Sequence, residues 1–498
     1  MPPEGRTPMS LTLPTTHDDD PDSADLKQFG YHQQLHRRLG SYASFAAGFS
    51  FVSILTTVFQ LFAFGYSFGG PAFFWTWPMV LAGQFLVALV FAELAARYPI
   101  AGCVYQWSKR LSRGVTGWFA GWMMLVGQVV SVAAAAIALQ VVLPSVWGGF
   151  EIVPSNATNA IILGSILIVI TSFINAIGVR VMAIVNSIGV TAELIGVTLL
   201  VILLATHTKR GPSVVLHTLH HGGGYFGLFL ASALMAAYVM YGFDSAGELS
   251  EETRSPRRTA PKAILRALAV SGIGGAALLI TGLMAAPSLT NGDLATQGLP
   301  YVLTSTLGPN IGRALLIDVA VAICVCTLAV QTASTRLTFS MARDGALPGG
   351  RLLARVNRRT GAPMWPAIVT GVVAIALLGV NVGQSQIFAA ITSVAVVIVY
   401  LAYLLVTVPA LIRRLRGTFP EAPEGGFSLG KAGIAVNALA VGYGAAMAIN
   451  IGWPRAAVYD PAGGNAYLQW FSVLFTALVL VVGVIAYLAR TRETQPVA

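Results

Sequence analysis

The chain is poor in charge. Asp, Glu, Lys and Arg make up only 10% of its 498 residues, while 55% are hydrophobic. A soluble domain carries about 25% charged residues. The shortage excludes an ordinary water-facing globule, which could not hide that much apolar surface. Cysteine is scarce as well, with three in the chain. Cys324 and Cys326 are two apart on a predicted helix and point in different directions, so no pairing is expected and they read as small buried apolar side chains. Motifs of soluble chemistry are missing: there is no HExxH helix and no Walker A lysine loop. Gly242 and Gly247 do not make a phosphate loop. His220-His221, beside Gly222-Gly223-Gly224, reads as part of a flexible loop and not as a metal site. No cofactor and no metal is implied. Segments of ~10 residues with alternating polarity are absent too, which excludes a membrane β-barrel.

What the chain does have is a series of apolar runs of about 20 residues, enough to span a ~30 Å hydrocarbon core. Backbone amides in lipid must be paired within the segment, so such runs become helices. The fold class is therefore all-α integral membrane, with about twelve transmembrane helices. They are placed near 43–68, 74–98, 118–143, 158–178, 181–206, 226–251, 262–286, 311–342, 365–383, 386–412, 432–452 and 467–489. Residues 1–40 are polar, include Asp18-Asp19-Asp20, and read as a disordered cytoplasmic tail without a cleavable signal peptide. A short tail, 490–498, follows the last helix.

Orientation follows from Lys and Arg, which collect on the cytoplasmic side. With the N-terminus inside, the inner segments hold Arg37, Arg38, Lys109, Arg110, Arg113, Arg180, Arg254, Arg257, Arg258, Lys262, Arg351, Arg355, Arg358, Arg359, Arg413, Arg414, Arg416, Arg490 and Arg492. The outer segments hold Lys209, Arg210, Arg313 and Arg455. Both termini are then cytoplasmic, in a multi-pass protein of the plasma membrane. The net charge of +10 thus reflects topology and contact with lipid, and a nucleic-acid partner is rejected.

Two spans do not read as plain anchors. The first carries Ser50, Ser53, Thr56 and Thr57 in an apolar run, although such hydroxyls also commonly bond their own backbone. The sixth carries Tyr241-Gly242-Phe243-Asp244, and an acid inside a membrane helix is expensive unless it faces a cavity or a partner. The first and sixth spans are five apart. Two sets of five helices in opposite directions, 41–206 and 226–416, would form an inverted repeat with interrupted helices 1 and 6, and helices 11–12 (432–489) would be appended. Broken helices at matching places in two halves point to a transport site. A break frees amides that favour a carboxylate and carbonyls that favour a cation.

Four stretches carry a resemblance to a known family. They are Ala92-Glu93-Leu94-Ala95 with Tyr98-Pro99-Ile100-Ala101-Gly102-Cys103-Val104-Tyr105-Gln106-Trp107; Tyr241-Gly242-Phe243-Asp244 with Glu251-Glu252-Thr253-Arg254-Ser255-Pro256; Ser334-Thr335-Arg336 with Ala342-Arg343-Asp344-Gly345; and Asn175-Ala176-Ile177-Gly178-Val179-Arg180. From roughly Gly40 to Arg416 the sequence resembles the amino acid–polyamine–organocation permease superfamily, and within it the amino acid/choline transporter family. Cys103 stands where a second glycine is usual. The resemblance implies a secondary transporter with the five-plus-five fold. It places substrate amino and carboxyl groups against Ser53, Ile54, Leu55, Thr56 and Thr57 of the first helix and against Tyr241, Gly242 and Phe243 of the sixth, with Tyr238 as a gate. Relatives often have glycines at the first break. This chain has none there, which points to a milder break or an altered carboxylate contact.

Some proton-coupled relatives carry a lysine midway along the fifth helix, where this chain has Glu193. About twelve residues into its span, at 1.5 Å per residue, it lies ~18 Å deep. Glu193 or Asp244 is therefore a candidate to take up and release a proton. Glu193 could equally be a hydrogen-bonding strut or a counter-charge for a cationic substrate. Sodium is the other coupling ion to consider, with Ser334, Thr335 and Ser53 available. The expected substrate is an amino acid or a related small amine. Choline, ethanolamine, a polyamine or 4-aminobutyrate are the alternatives, with Phe51, Tyr238, Tyr241 and Phe243 offering cation–π faces. A membrane sensor would need a soluble output domain, an intramembrane enzyme would need Glu193 and Asp244 to act together, and a channel would need a filter loop.

Overall fold

Lipid leaves a backbone no solvent partner, and the chain answers with helix nearly throughout. A computed structural model describes residues 26–112, 114–218, 224–357, 360–379, 387–460 and 466–490. His220-His221, Arg113, Arg358, Arg359, Arg492, the acidic run at 18–20 and the facing ends of the ninth and tenth predicted spans lie outside the described residues. Among the described residues there are no strands beyond an isolated bridge between Leu39 and Thr253. Nine helical stretches among the described residues are long and apolar enough to cross a membrane. The first, Ser41–Arg97, has 57 residues. As one straight helix it would run ~86 Å, nearly three bilayer cores. It turns at Gly69-Gly70, where Gly70 takes a φ of 57° and Pro71 enters the 3-10 turn Gly70–Trp75. Two shorter apolar helices, Tyr225–Val239 and Met364–Leu378, accompany the nine.

The outer faces are apolar. Phe173, Ile188, Ile195 and Leu488 are exposed, as a lipid-facing surface requires. Inside, Trp77, Trp107, Phe49, Phe59, Phe62 and Phe91 are fully buried. Trp77 is placed by its Nε1, which donates to the Gly272 carbonyl at 2.8 Å.

Apart from Tyr241-Gly242-Phe243-Asp244, the stretches that carry the family resemblance converge on one end of the bundle. Glu252 is paired with Arg336 at 3.1 Å, and Arg336 also donates to Asn175 Oδ1. Glu251 takes two bonds from Arg343, at 2.8 and 3.0 Å, and one from the amide of Ala101 at 3.2 Å. Ser340 Oγ donates to the Ala101 carbonyl at 2.7 Å. A Cβ on Gly102 would lie 2.5 Å from Ser340 Oγ, and Gly102 has a φ of +86°. Cys103, in the place of the second glycine, packs on Gly247. Glu93 binds Arg97 and Arg414. The pairing offsets the cost of burying these charges.

Residues 26–40 differ from the disordered tail expected over 1–40. Leu26, Leu35 and Leu39 are buried. The amides of Arg38 and Leu39 donate to the Glu252 carbonyl at 2.9 and 2.8 Å, and Arg254 N returns a bond to Leu39. Tyr31 donates to Asp344 at 2.9 Å, beside Lys109 at 2.6 Å from the same carboxylate group. Burial and the Asp344 charge push the Tyr31 phenol up, so it remains a donor. This segment straps the end of the bundle where the motifs meet.

Candidate functional site

The first predicted span is interrupted at one residue. The helix Ser41–Val52 stops and Ile54–Gly69 starts, with Ser53 between them at φ 35°, ψ 101°. A positive φ in a non-glycine residue costs energy, and here local bonds hold it. Ser53 N donates to Phe49 O at 2.7 Å, and Thr57 Oγ1 donates to Ser53 O at 2.6 Å. Ser53 Oγ caps the second half-helix by accepting from Thr56 N.

The amide that this break frees is not left open. Leu55 N donates to Glu193 Oε1 at 3.0 Å, and Ser53 Oγ donates to the same oxygen at 2.9 Å. Glu193 stands midway along the helix Val179–Thr206 and is 1% exposed. Its Oε2 has no hydrogen bond among the described residues. The N-terminal end of a half-helix attracts an anion, and in this conformation the protein's own carboxylate fills that place. The break spans one residue, and the carboxylate on it belongs to Glu193.

The sixth predicted span is broken more widely. The helix Tyr225–Val239 ends, and helix resumes only at Ser245–Glu248. Gly242 has a φ of +88°, and a Cβ there would lie 1.9 Å from Phe51 Cδ1. The two breaks therefore touch, through the Phe51 ring on the glycine. Tyr403, from the helix Ile387–Leu415, accepts from Gly242 N at 2.9 Å and donates to Asp244 Oδ1. Tyr241 and Ser131 share a hydrogen bond of 2.6 Å.

Phe51, Tyr241 and Tyr238 form one edge-to-face group, with centroids 5.9 and 5.6 Å apart. Phe243 belongs to another group and packs on Phe91 and Tyr403. Thus Ser53 and Leu55 meet Glu193, with Thr56 and Thr57 bonded to Ser53, while Tyr241, Gly242 and Phe243 gather around Ser131, Tyr403 and Phe91. All are buried, with Tyr238 the most open at 5%, so the breaks are closed off in this conformation. Glu193 and Asp244 are bonded by separate partners.

Tyr403, Ser131 and Asp318 escaped the reading of the sequence. Nothing local marks Tyr403 or Ser131, because their roles come from helices distant in the chain. Asp318 carried the signal that flagged Glu193 and Asp244: an acid within a span.

Comparison with known proteins agrees with this architecture. The model of the family described as "Amino acid permease" matches residues 39–482. The chain is 28% identical to "Amino-acid permease BAT1" of Arabidopsis thaliana over 447 residues, covering 84% of this chain and 85% of that protein. It is 29% identical to "Amino-acid permease BAT1 homolog" of Oryza sativa subsp. japonica over the same shares. To "Amino-acid permease 2" of Neurospora crassa it is 24% identical, over 94% of this chain and 89% of that one. With a family match over most of its length and a multi-span helical fold, the chain belongs to the amino acid permease family, whose members are transporters and not enzymes.

Proposed function

We propose that this permease is a secondary active transporter that moves amino acids or related small amines across the plasma membrane, coupled to protons or working by exchange. The observation that carries the reading is the Glu193 carboxylate seated on the break at Ser53, bonded to Ser53 Oγ and Leu55 N. An acid in the membrane that caps a broken helix can release it only by exchanging its partners. A proton on Glu193 or an arriving substrate would drive that exchange, which makes Glu193 the coupling group. Asp244, held by Tyr403 at the second break, is the other candidate. Substrate would enter between Ser53, Ile54, Leu55, Thr56 and Thr57 on one side and Tyr238, Tyr241, Gly242 and Phe243 on the other.

The proposed architecture has about twelve crossings, counting Ser41–Arg97 twice at its turn and adding the two shorter helices. The proposed frame is an inverted repeat over 41–206 and 226–416, with 432–489 appended and both termini cytoplasmic. One observation favours a cationic amine such as choline, ethanolamine, a polyamine, or the zwitterion 4-aminobutyrate. The amide that would greet an α-carboxylate is already taken, so the site presents an acid and the Phe51, Tyr241 and Tyr238 rings. The test is counterflow in proteoliposomes with amino acids, 4-aminobutyrate, choline, ethanolamine and polyamines at two pH values. Counterflow of at least one member, with a pH dependence flattened by Glu193→Gln, is expected. No counterflow for any member overturns the proposal, and an unaltered pH dependence in the variant overturns the proton role of Glu193.

A further inference from the structure

The helices Val179–Thr206 and Pro309–Arg343 pack against each other along glycines spaced seven apart. A Cβ on Gly189 would lie 2.2 Å from Val325, and a Cβ on Gly196 would lie 1.7 Å from Asp318 Oδ2. The pairs 189 with 325 and 196 with 318 fix an antiparallel register. The first notch is filled by an apolar side chain, as membrane packing prefers. The second is filled by a carboxylate. Gly196 is one turn from Glu193, and residues three apart on a helix have Cβ atoms about 5–6 Å apart. In this register Asp318 lies roughly 4.5 Å from the level of Glu193, toward the end of the bundle away from the paired-charge network.

Asp318 is half-buried, and its Oδ2 has no hydrogen bond among the described residues. Glu193 Oε2 also has none. Few other charges bear on the pair. Glu193 meets Ser53 and Leu55 from the first span and Cys326 from the long helix. The basic residues of Pro256–Ala285 (Arg257, Arg258, Lys262 and Arg266) all lie in its first three turns. Near Asp318, Arg313 is exposed on the same helix, and Tyr301 lies on the adjoining helix Leu299–Leu307.

We infer that Asp318, lodged in the notch at Gly196, is the outer station of a proton path that ends at Glu193. The inference rests on the proposed coupling role of Glu193. A proton from outside water binds the Asp318 carboxylate and then passes to the Glu193 carboxylate, directly or through water. Asp318 is left ionised, and no other bond is made or broken. Gly196 is the positioning residue, because any side chain there evicts the carboxylate.

The test uses the full chain in proteoliposomes and compares uptake driven by an acidic exterior with counterflow at equal pH, which moves no net proton. The probe is radiolabelled L-alanine or, where alanine gives no counterflow, the strongest of arginine, glutamate, 4-aminobutyrate and choline. Asp318→Asn and Gly196→Ala are expected to lower proton-driven uptake at least about tenfold, with counterflow within about twofold and activity returning in Asp318→Glu. Proton-driven uptake that survives Asp318→Asn but is lost in Glu193→Gln overturns the path and leaves the proposed function standing. Unaltered behaviour of Glu193→Gln overturns both the path and the coupling role of Glu193. Loss of counterflow along with uptake in Asp318→Asn, without return in Asp318→Glu, also overturns the path, because the residue then serves the fold.

Discussion

The guanidinium of Arg336 lies 3.1 Å from the carboxylate of Glu252, and both side chains are fully buried. Removing one member of such a pair strands the other, at a cost of about 3–5 kcal/mol. Arg336→Met and Glu252→Met should each melt well below the parent in detergent. The double variant should recover much of the loss, since two apolar side chains leave no orphan charge. Equal melting of the double and single variants would show that the pairing is not what matters.

Gly242 is held at a positive φ with its missing side chain replaced by the Phe51 ring. Gly242→Ala forces a methyl into that ring, and overpacking of this kind costs roughly 1–3 kcal/mol. Counterflow should fall sharply. Adding Phe51→Ala opens the space and should restore stability in part, which a melting curve reads directly.

Tyr403 joins the Gly242 amide to Asp244 through one hydroxyl. Tyr403→Phe removes it and leaves a buried donor and a buried carboxylate oxygen unpaired, at about 1–3 kcal/mol for each. The variant should lose more stability than Asp244→Asn, in which the side-chain oxygen still accepts from Tyr403. The opposite order in melting temperature would mean that the charge of Asp244, and not the bridge, holds this break.

Labelling with a membrane-impermeant maleimide tests orientation. Ser213 and Arg258 are exposed, while the native Cys103 and Cys326 are buried. In a Cys324→Ala background, Ser213→Cys should react in intact cells and Arg258→Cys only after permeabilisation. The reverse pattern would invert the topology drawn from Lys and Arg.

Much of this molecule could be read from its sequence. Apolar runs reveal spans because lipid penalises any other backbone, and the acids at 193 and 244 stand out against them. The break in the first span was harder to see. Ser53 takes a glycine-like conformation without being glycine, supported by Phe49, Thr56 and Thr57 in its own helices and by Glu193 from another. The partner of Glu193 lies 138 residues away at Leu55, and no local pattern joins the two. Gly196 looks like any small residue in a membrane helix until Asp318 is seen against it. The strap over 26–40 was hidden by its own composition, because three leucines, Leu26, Leu35 and Leu39, do its anchoring among polar neighbours.

The convergence of Glu93, Glu251, Glu252, Arg336, Arg343 and Asp344 at one end of the bundle bears on how relatedness translates into cargo. The ion pairs brace the scaffold, and of the stretches by which this chain resembles its relatives only Tyr241-Gly242-Phe243-Asp244 lies at a break. Selection can hold the brace constant and let the lining drift. Two permeases can therefore match along most of their length and still carry different solutes, and under the proposed site specificity is better compared at positions 53–57, 193 and 238–244 than by overall identity.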